Sequence, residues 1–371
     1  MQTTAAVMRA KREPFVIETV ELDHPGRGEV LIRMAAAGIC GSDRHVLDGH
    51  YPAPVPSVCG HEGAGVVEAV GEGVENIAVG DHVIQTFVGP CGKCAACRRG
   101  KRTFCTAGSN ADGTLLDGTF RMHDLDGGHI GTTLGLGSFS RHTVSPARNC
   151  VVIPSDIDLS IAALISCGVS TGVGAVLNVS RIEPGDNVAV IGVGGVGAAA
   201  IMGAVVGGAA QIIAIDIHDS KREPALQFGA TSFVNAGDTD IAASIREHTD
   251  GWGVDRVIIT VDRTRPEHYA AAVGSLAPGG VAVQVGSSPA GLDHLPVRPS
   301  LFTLGQVSFT GTVYGGMDPA HDALRYIDLY RSGRLPLGSL ITRTYSLDRI
   351  NDAFDDLAAG RNIRGVVRFD T

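Results

Sequence analysis

Basic charge is scarce in this 371-residue chain: 30 Lys and Arg stand against 39 Asp and Glu, a formal net charge of -9. No basic run offsets that balance, which argues against a nucleic-acid partner. No apolar stretch is long enough to span a membrane, because Gly-rich segments such as 192–215 are broken by turns and an acid. The opening MQTTAAVMRAKREPF lacks the apolar core of a signal peptide. Internal repeats and low-complexity tracts are absent as well. Eight cysteines in a chain this long do not make the dense framework of a secreted disulfide protein. The expectation is a soluble, cytoplasmic protein, in which regularly spaced cysteines bind metal more often than they pair.

What is present is glycine, 50 residues of it, about twice the usual share, and an apolar fraction of 44% that supports substantial cores. The length makes two domains the natural expectation. The stretch from Val188 to Asp216 organises the second. Val188 to Ile191 reads as a buried strand. Gly192, Gly194 and Gly197 then fit G-x-G-x-x-G, with Gly195 and Val196 between them, and a small-residue helix leads to a second apolar run ending in Asp216. Gly192 permits the tight turn, Gly194 lets backbone approach a pyrophosphate, and Gly197 lets the helix pack on the sheet. The free N–H groups of the helix N-terminus face the anion. Asp216 is spaced to accept hydrogen bonds from an adenosine ribose and to repel a 2′-phosphate, so NAD(H) is expected rather than NADP(H).

The chain before this region reads differently. Residues 5–10, 15–22 and 29–38 alternate as strands. Residues 106–137 are Gly-rich and weakly periodic and read as a long surface loop; His123 and His129 within it are expected to be solvated. Residues 161–176 read as one helix with Cys167 at its centre. From Asn187 onward the pattern is βαβ. Candidate strands are 188–191, 211–215, 232–234, 256–261, 281–285 and 307–311, the six that a doubly wound dinucleotide-binding sheet requires. Helices are expected at 221–228, 240–248, 266–276 and 319–332. The ending reads strand, helix, strand and is expected to return to the first domain.

Cys91, Cys94, Cys97 and Cys105 form C-x2-C-x2-C-x7-C. Four thiolates on one short loop suit a closed tetrahedral zinc site, and three cysteines spaced by three residues make poor disulfide geometry. Cys40, His61 and Cys167 are a weaker signal. Two thiolates and an imidazole with an open fourth position would make a catalytic zinc site, but spacing this wide equally fits buried structural cysteines and a surface histidine. By themselves, Ser42 is a turn residue, His45 a surface residue, Phe87 a core residue and Lys221 a solvated helix position.

Together these pieces resemble the zinc-dependent medium-chain alcohol dehydrogenases over essentially the whole chain. The matching segments are Cys40-Gly41-Ser42-Asp43-Arg44-His45, Gly60-His61-Glu62-x2-Gly65-x5-Gly71, the four-cysteine loop, Ser166-Cys167-Gly168 and GVGGVG ending at Gly197. The resemblance implies an α/β architecture: a β-rich, GroES-like catalytic domain (1–168 and 313–371) and a six-stranded, doubly wound parallel Rossmann domain (169–312). It implies two zinc ions per chain and NAD, with Cys40, His61 and Cys167 on the catalytic zinc, Glu62 as an acid near the metal and Asp43 orienting His61. Zinc lowers the pKa of the alcohol and hydride leaves to the nicotinamide. Ser42 takes the hydroxyl proton toward a cofactor ribose hydroxyl, and His45 carries it to solvent. Phe87 resembles a substrate-pocket residue, Lys221 a second ribose contact and Arg364 a pyrophosphate contact, the last more important because Gly41 stands where Arg or His often grips the pyrophosphate.

His45 stands where glutathione-dependent formaldehyde dehydrogenases usually carry an aromatic residue, which disfavours a thiol-adduct substrate. The long loop between Cys105 and Phe139 resembles the dimeric, long-chain members, so a homodimer acting on a small-molecule alcohol or aldehyde is expected. Asp117-Gly118-Thr119-Phe120-Arg121, Gly168-Val169-Ser170-Thr171-Gly172 and Asn362-Ile363-Arg364-Gly365 are similar to the actinobacterial nicotinoprotein alcohol dehydrogenases. In those, NAD(H) stays bound and turnover needs an acceptor or a redox-neutral dismutation. A non-catalytic zinc and nucleotide-binding protein would not need Ser42 and His45.

Overall fold

The computed structural model describes residues 1–108, 112–237, 239–289 and 291–369. The chain divides into two compact units. The first comprises Met1–Cys167, Asp318–Leu329 and Ile341–Thr371; the second comprises Gly168–Met317 and Tyr330–Leu340. Segments 313–317 and 330–340, placed with the first domain from the sequence, thus cluster with the second. The kinked turn at Tyr314–Gly316 packs against the Gly168–Gly174 helix, close enough that a side chain at Gly174 would strike Gly315.

Two sheets make the first unit. Gln2–Met8, Val16–Leu22, Met122–His123, His129–Thr132 and Ser57–Val58 close into a small barrel. In the other sheet Glu29–Gly38 is the organising strand. It pairs antiparallel with Gly63–Val70, with His142–Pro146 and with the C-terminal Arg364–Arg368. The chain end therefore returns to the first unit. Alternation along Val16–Leu22 leaves Val20 and Leu22 inside and Glu21 outside, and the apolar faces meet in a core around Met8, Ile32, Met34, Phe139 and Phe354.

The stretch 106–137 is not one long surface loop. Positions 109–111 lie outside the described residues, but Met122–His123 and His129–Thr132 pair antiparallel and complete the barrel. Leu115, Met122, Ile130 and Leu136 are buried. Strands this short carry too few residues to show a period of two. The Arg121 guanidinium fixes the segment by donating to both oxygens of buried Glu29, at 2.8 and 2.9 Å. His129 is exposed and His123 half-buried, its Nε2 2.9 Å from Asp23.

In the second unit six parallel strands run in the order Ser232–Asn235, Gln211–Asp216, Asn187–Ile191, Val254–Ile259, Leu276–Gln284, Ser308–Gly311. This is the 3-2-1-4-5-6 order of a doubly wound dinucleotide-binding sheet. The helices expected from the sequence form at Arg222–Gln227, Ile241–Glu247, Pro266–Gly274 and Pro319–Arg331. The helix expected over 161–176 is interrupted: Leu159–Ile165 ends, Ser166 and Cys167 follow, and a new helix starts at Gly168. Cys167 therefore sits at a break and not at a helix centre. Among the described residues no single helix is long and apolar enough to cross a membrane.

Candidate zinc and dinucleotide sites

Strand register explains how Cys40, His61 and Arg364 meet. Ala37 of Glu29–Gly38 pairs with Gly63, so the chain running out past Gly38 to Cys40 lies beside the chain running in through His61 and Glu62. On the other edge Gly38 pairs with Val366, which brings Arg364 level with Cys40. The Leu159–Ile165 helix ends over these strands and delivers Cys167, with the Ser166 hydroxyl donating to the Gly63 carbonyl at 3.1 Å. Ligand atoms of Cys40, His61, Glu62 and Cys167 all lie within 4.8 Å of one another, and all four residues are buried.

The donor set fits a zinc ion. The His61 Nδ1 faces Asp43 Oδ2 at 3.1 Å, which leaves Nε2 for a metal. Asp43 is itself fully buried, and its other oxygen accepts from the Gly60 N–H at 3.0 Å. Burial lowers the basicity of His61, but the charges of Asp43 and Cys40 outweigh it and push its pKa up to about 10. A hydrogen bond with Cys167 holds the Cys40 thiol well below its ordinary value against the opposing effect of burial, with His61 adding to it. These groups form a buried constellation of charge that a divalent cation completes. Glu62, expected as an acid near the metal, stands within the ligand cluster itself. Its Oε2 is paired with the Arg364 guanidinium, and both side chains are almost wholly buried. Gly38 is required here, because a Cβ would collide with Glu62.

Arg364, expected from the family resemblance to contact the cofactor pyrophosphate, is paired here with the Glu62 carboxylate. Burial lowers its pKa against the attraction of Cys40 and Asp43. Nothing in the surrounding Asn362-Ile363-Arg364-Gly365 signals this pairing; only the register of the C-terminal strand does. Phe87 lies edge-on to His61, ring centroids 6.0 Å apart and planes at 80°. Ser42 is half-buried in the first turn of the Gly41–Leu47 helix, just past Cys40 at its N-cap. His45 is not a surface residue: it is 5% exposed and packs against His50 and Tyr51.

Cys91, Cys94, Cys97 and Cys105 bring their sulfurs within 4.8 Å of one another, and no cysteine among the described residues forms a disulfide. Backbone N–H groups aim at the sulfurs: Cys91 at Cys105 and Cys94 at Cys91, both 3.3 Å, and Cys97 at Cys94, 3.5 Å. Backbone donors at Cys97 and Thr106 lower the Cys94 thiol to about 6, whereas burial and the neighbouring sulfurs raise Cys97 to about 11. A set of thiols so close that their ionisations oppose one another suits a cation at its centre. The two remaining cysteines, Cys59 and Cys150, are pushed up to about 12, chiefly by burial, and stand apart from both clusters.

In the second unit the glycine turn has the expected form. Gly192 has φ of +98°, Gly194 is the N-cap of the Gly195–Gly207 helix, and a Cβ on Gly197 would strike the Gly192 carbonyl. A Cβ on Gly194 would meet nothing within 4 Å, so open space lies where a pyrophosphate would approach. Asp216 ends its strand, with Oδ2 accepting from the Val193 N–H at 2.7 Å and Oδ1 from the His218 N–H at 3.0 Å. Each oxygen retains a second lone pair for a ribose hydroxyl. Lys221 is buried, its pKa lowered by that burial against the pull of Asp216. Sequence reasoning missed Thr260, whose hydroxyl donates to the Gly192 carbonyl at 2.7 Å and props the turn from the neighbouring strand.

Comparison with known proteins agrees with this geometry. Residues 26–155 match the alcohol dehydrogenase GroES-like domain family, and residues 195–330 match the zinc-binding dehydrogenase family. The NDMA-dependent alcohol dehydrogenase of Amycolatopsis methanolica is 38% identical over 368 residues, covering 99% of both chains. The crystal structure of an alcohol dehydrogenase zinc-binding domain protein from Burkholderia ambifaria superposes with a TM-score of 0.95 at 34% identity, and that of the benzyl alcohol dehydrogenase of Acinetobacter calcoaceticus with 0.93 at 31%, each covering all of both chains. The chain belongs to the zinc-dependent, medium-chain alcohol dehydrogenase family and is an oxidoreductase acting on alcohols, with zinc and NAD as its cofactors.

Proposed function

We propose that the chain interconverts a primary, preferably benzylic, alcohol and its aldehyde at the cluster of Cys40, His61 and Cys167, with NAD(H) as the hydride carrier. The observation that carries the site assignment is this buried donor set with Asp43 fixed on the far nitrogen of His61. Zinc bound there would supply a Lewis acid that lowers the pKa of the alcohol, and NAD would accept the hydride. The remaining tasks fall to the chain. Cys40, His61 and Cys167 would hold the metal, and Glu62, restrained by Arg364, stands beside them as a further donor. The Ser42 hydroxyl takes the alcohol proton, since a hydroxyl can both accept and donate, and His45 moves it outward. Phe87 forms an apolar wall beside His61. The preference for a benzylic substrate draws support from the likeness to the benzyl alcohol dehydrogenase.

Cys91, Cys94, Cys97 and Cys105 hold a second, structural zinc. Backbone at Gly192, Gly194, Gly195, Val196 and Gly197 receives the pyrophosphate. Asp216 and Lys221 bind the adenosine ribose, and the acid selects NAD over NADP. The exposed edge strand Ser308–Gly311, flanked by Leu304 (85% exposed) and Val313 (53%), supports a homodimer joined edge to edge. Cysteines gathered in two metal-binding clusters suit a reducing, cytoplasmic setting. The likeness to the NDMA-dependent relative favours a second reading, in which NAD(H) stays bound between turnovers.

A panel of primary, secondary and benzylic alcohols, followed by NADH absorbance with and without NDMA, tests the activity. Mass spectrometry of cofactor released on denaturation tests its retention. Alcohol oxidation by the wild type and its loss in Cys167→Ala are expected. Oxidation surviving in Cys167→Ala would overturn the site.

A further inference from the structure

The proton path described above reaches a buried imidazole, and a buried imidazole cannot deliver a proton to bulk water by itself. His45 is 5% exposed. Its Nδ1 lies 3.2 Å from the Nδ1 of His50, which is exposed. The end of the Gly41–Leu47 helix builds this contact. Asp48 is the C-cap and Gly49 follows with φ of +77°. The Gly49 N–H donates to the Val46 carbonyl at 3.1 Å and the His50 N–H to the His45 carbonyl at 2.8 Å. This pair of bonds is the Schellman closure, which folds the sixth residue back over the first and usually joins the two by an apolar contact. Here both positions are imidazoles, with ring centroids 5.4 Å apart. An apolar pair would close the helix equally well, so the closure itself does not require histidine at either position.

We propose that His50 is the exit of the proton relay, taking the proton from His45 and releasing it to water. This rests on the roles proposed for Ser42 and His45. Oxidation of one alcohol to one aldehyde passes a hydride to NAD+ and frees one proton. That proton arrives at the Nε2 of His45. His45 gives its Nδ1 proton to the Nδ1 of His50, and His50 gives its Nε2 proton to water; rotation of the rings restores the starting tautomers. Facing the pair are Arg44, bonded to Asp48 at 2.9 Å, Lys11 on the Val46 carbonyl at 3.1 Å, Arg12 on the Asp48 carbonyl at 3.2 Å, and the Tyr51 ring 5.1 Å from His45.

The test is proton release in a single turnover of NAD+-loaded enzyme with benzyl alcohol, followed by a pH-indicator dye in weak buffer. His50→Gln and His50→Phe should each slow release about tenfold near neutrality, below the usual range of about 10²–10⁴ for an acid–base group because water partly replaces it, and leave KM unchanged. Added imidazole should restore the rate. His50→Phe keeps a ring over His45, so an equal loss in both variants separates proton transfer from packing. Release at the wild-type rate in both variants across the neutral pH range would overturn the exit. Ser42→Ala and His45→Gln run in parallel: if they too release protons at the wild-type rate, the relay itself fails, and if they slow while the His50 variants do not, only the exit fails.

Discussion

Cys91, Cys94, Cys97 and Cys105 lie on one loop, and their sulfurs are gathered by backbone N–H groups within that loop. Cys40, His61 and Cys167 come from a strand end, a neighbouring strand entry and a helix break, and they are gathered by sheet register. The first cluster ties a loop that buries little else: over 91–108 only Cys97 and Gly108 are buried. The second is continuous with the core and with a buried acid–guanidinium pair. Removing a ligand should therefore have opposite signatures at the two clusters. Cys167→Ala should reduce alcohol oxidation to background with little change in melting temperature. Cys97→Ala should lower thermal stability by several kcal/mol, because metal binding is folding free energy for a loop with little core of its own. Zinc per chain, measured by elemental analysis, should fall from two to one in each. Equal stability losses in the two variants would erase the distinction.

The comparison also explains what could be read in advance. The loop cluster is legible because all its ligands fall in one short segment, so spacing alone carries the geometry. The dispersed cluster has no spacing to read, and only the family resemblance drew Cys40, His61 and Cys167 together. The six strands of the second unit were legible as apolar runs punctuated by glycine. Met122–His123 and His129–Thr132 were not, since strands of two and four residues are too short to show a period. The pairing of Arg364 with Glu62 was not legible, because it is set by the register of Gly38 against Val366 at the far end of the chain. Thr260 and His50 carry no motif at all. One meets the glycine turn across adjacent strands, the other meets His45 through a helix-end closure.

The buried pair offers the next test. Arg364→Ala leaves the Glu62 carboxylate uncompensated in the core, and removing one partner of such a pair costs about 3–5 kcal/mol. Denaturant unfolding should register that loss. The double variant Glu62→Gln, Arg364→Met should recover much of it, because neither side then carries charge. A smaller effect is expected at Asp43, which acts through His61. Asp43→Asn keeps the shape but removes the charge that holds the ring, and outer partners of this kind are worth about 10–100-fold in metal affinity or activity. Competition with a chelator should show zinc leaving one site sooner while the four-cysteine site keeps its own.

The smallest effect sharpens what burial contributes. Asp356 is also clasped by arginines, but by ones that reach it from solvent: Arg343 and Arg361 each approach to 2.6 Å and the Tyr345 hydroxyl donates at 2.7 Å. Both arginine side chains are about half exposed. Hydrogen bonds from Tyr345 and Arg361, with the charge of Arg343, hold the carboxyl at about 2 against an ordinary value of 3.8. A carboxylate depressed in the folded state adds stability that is complete above its unfolded value and lost as pH falls toward its folded value. The contribution should therefore be constant near neutrality, fade below about pH 4 and vanish near pH 2. Melting temperatures of wild type and Asp356→Asn, compared over that range, should converge as the solution is acidified. Because the arginines remain in water, the gap at neutral pH should be far smaller than the one opened by Arg364→Ala, although a guanidinium meets a carboxylate in both places. A gap as large as that of Arg364→Ala would mean that the number of donors, and not their burial, decides what a clasped carboxylate contributes.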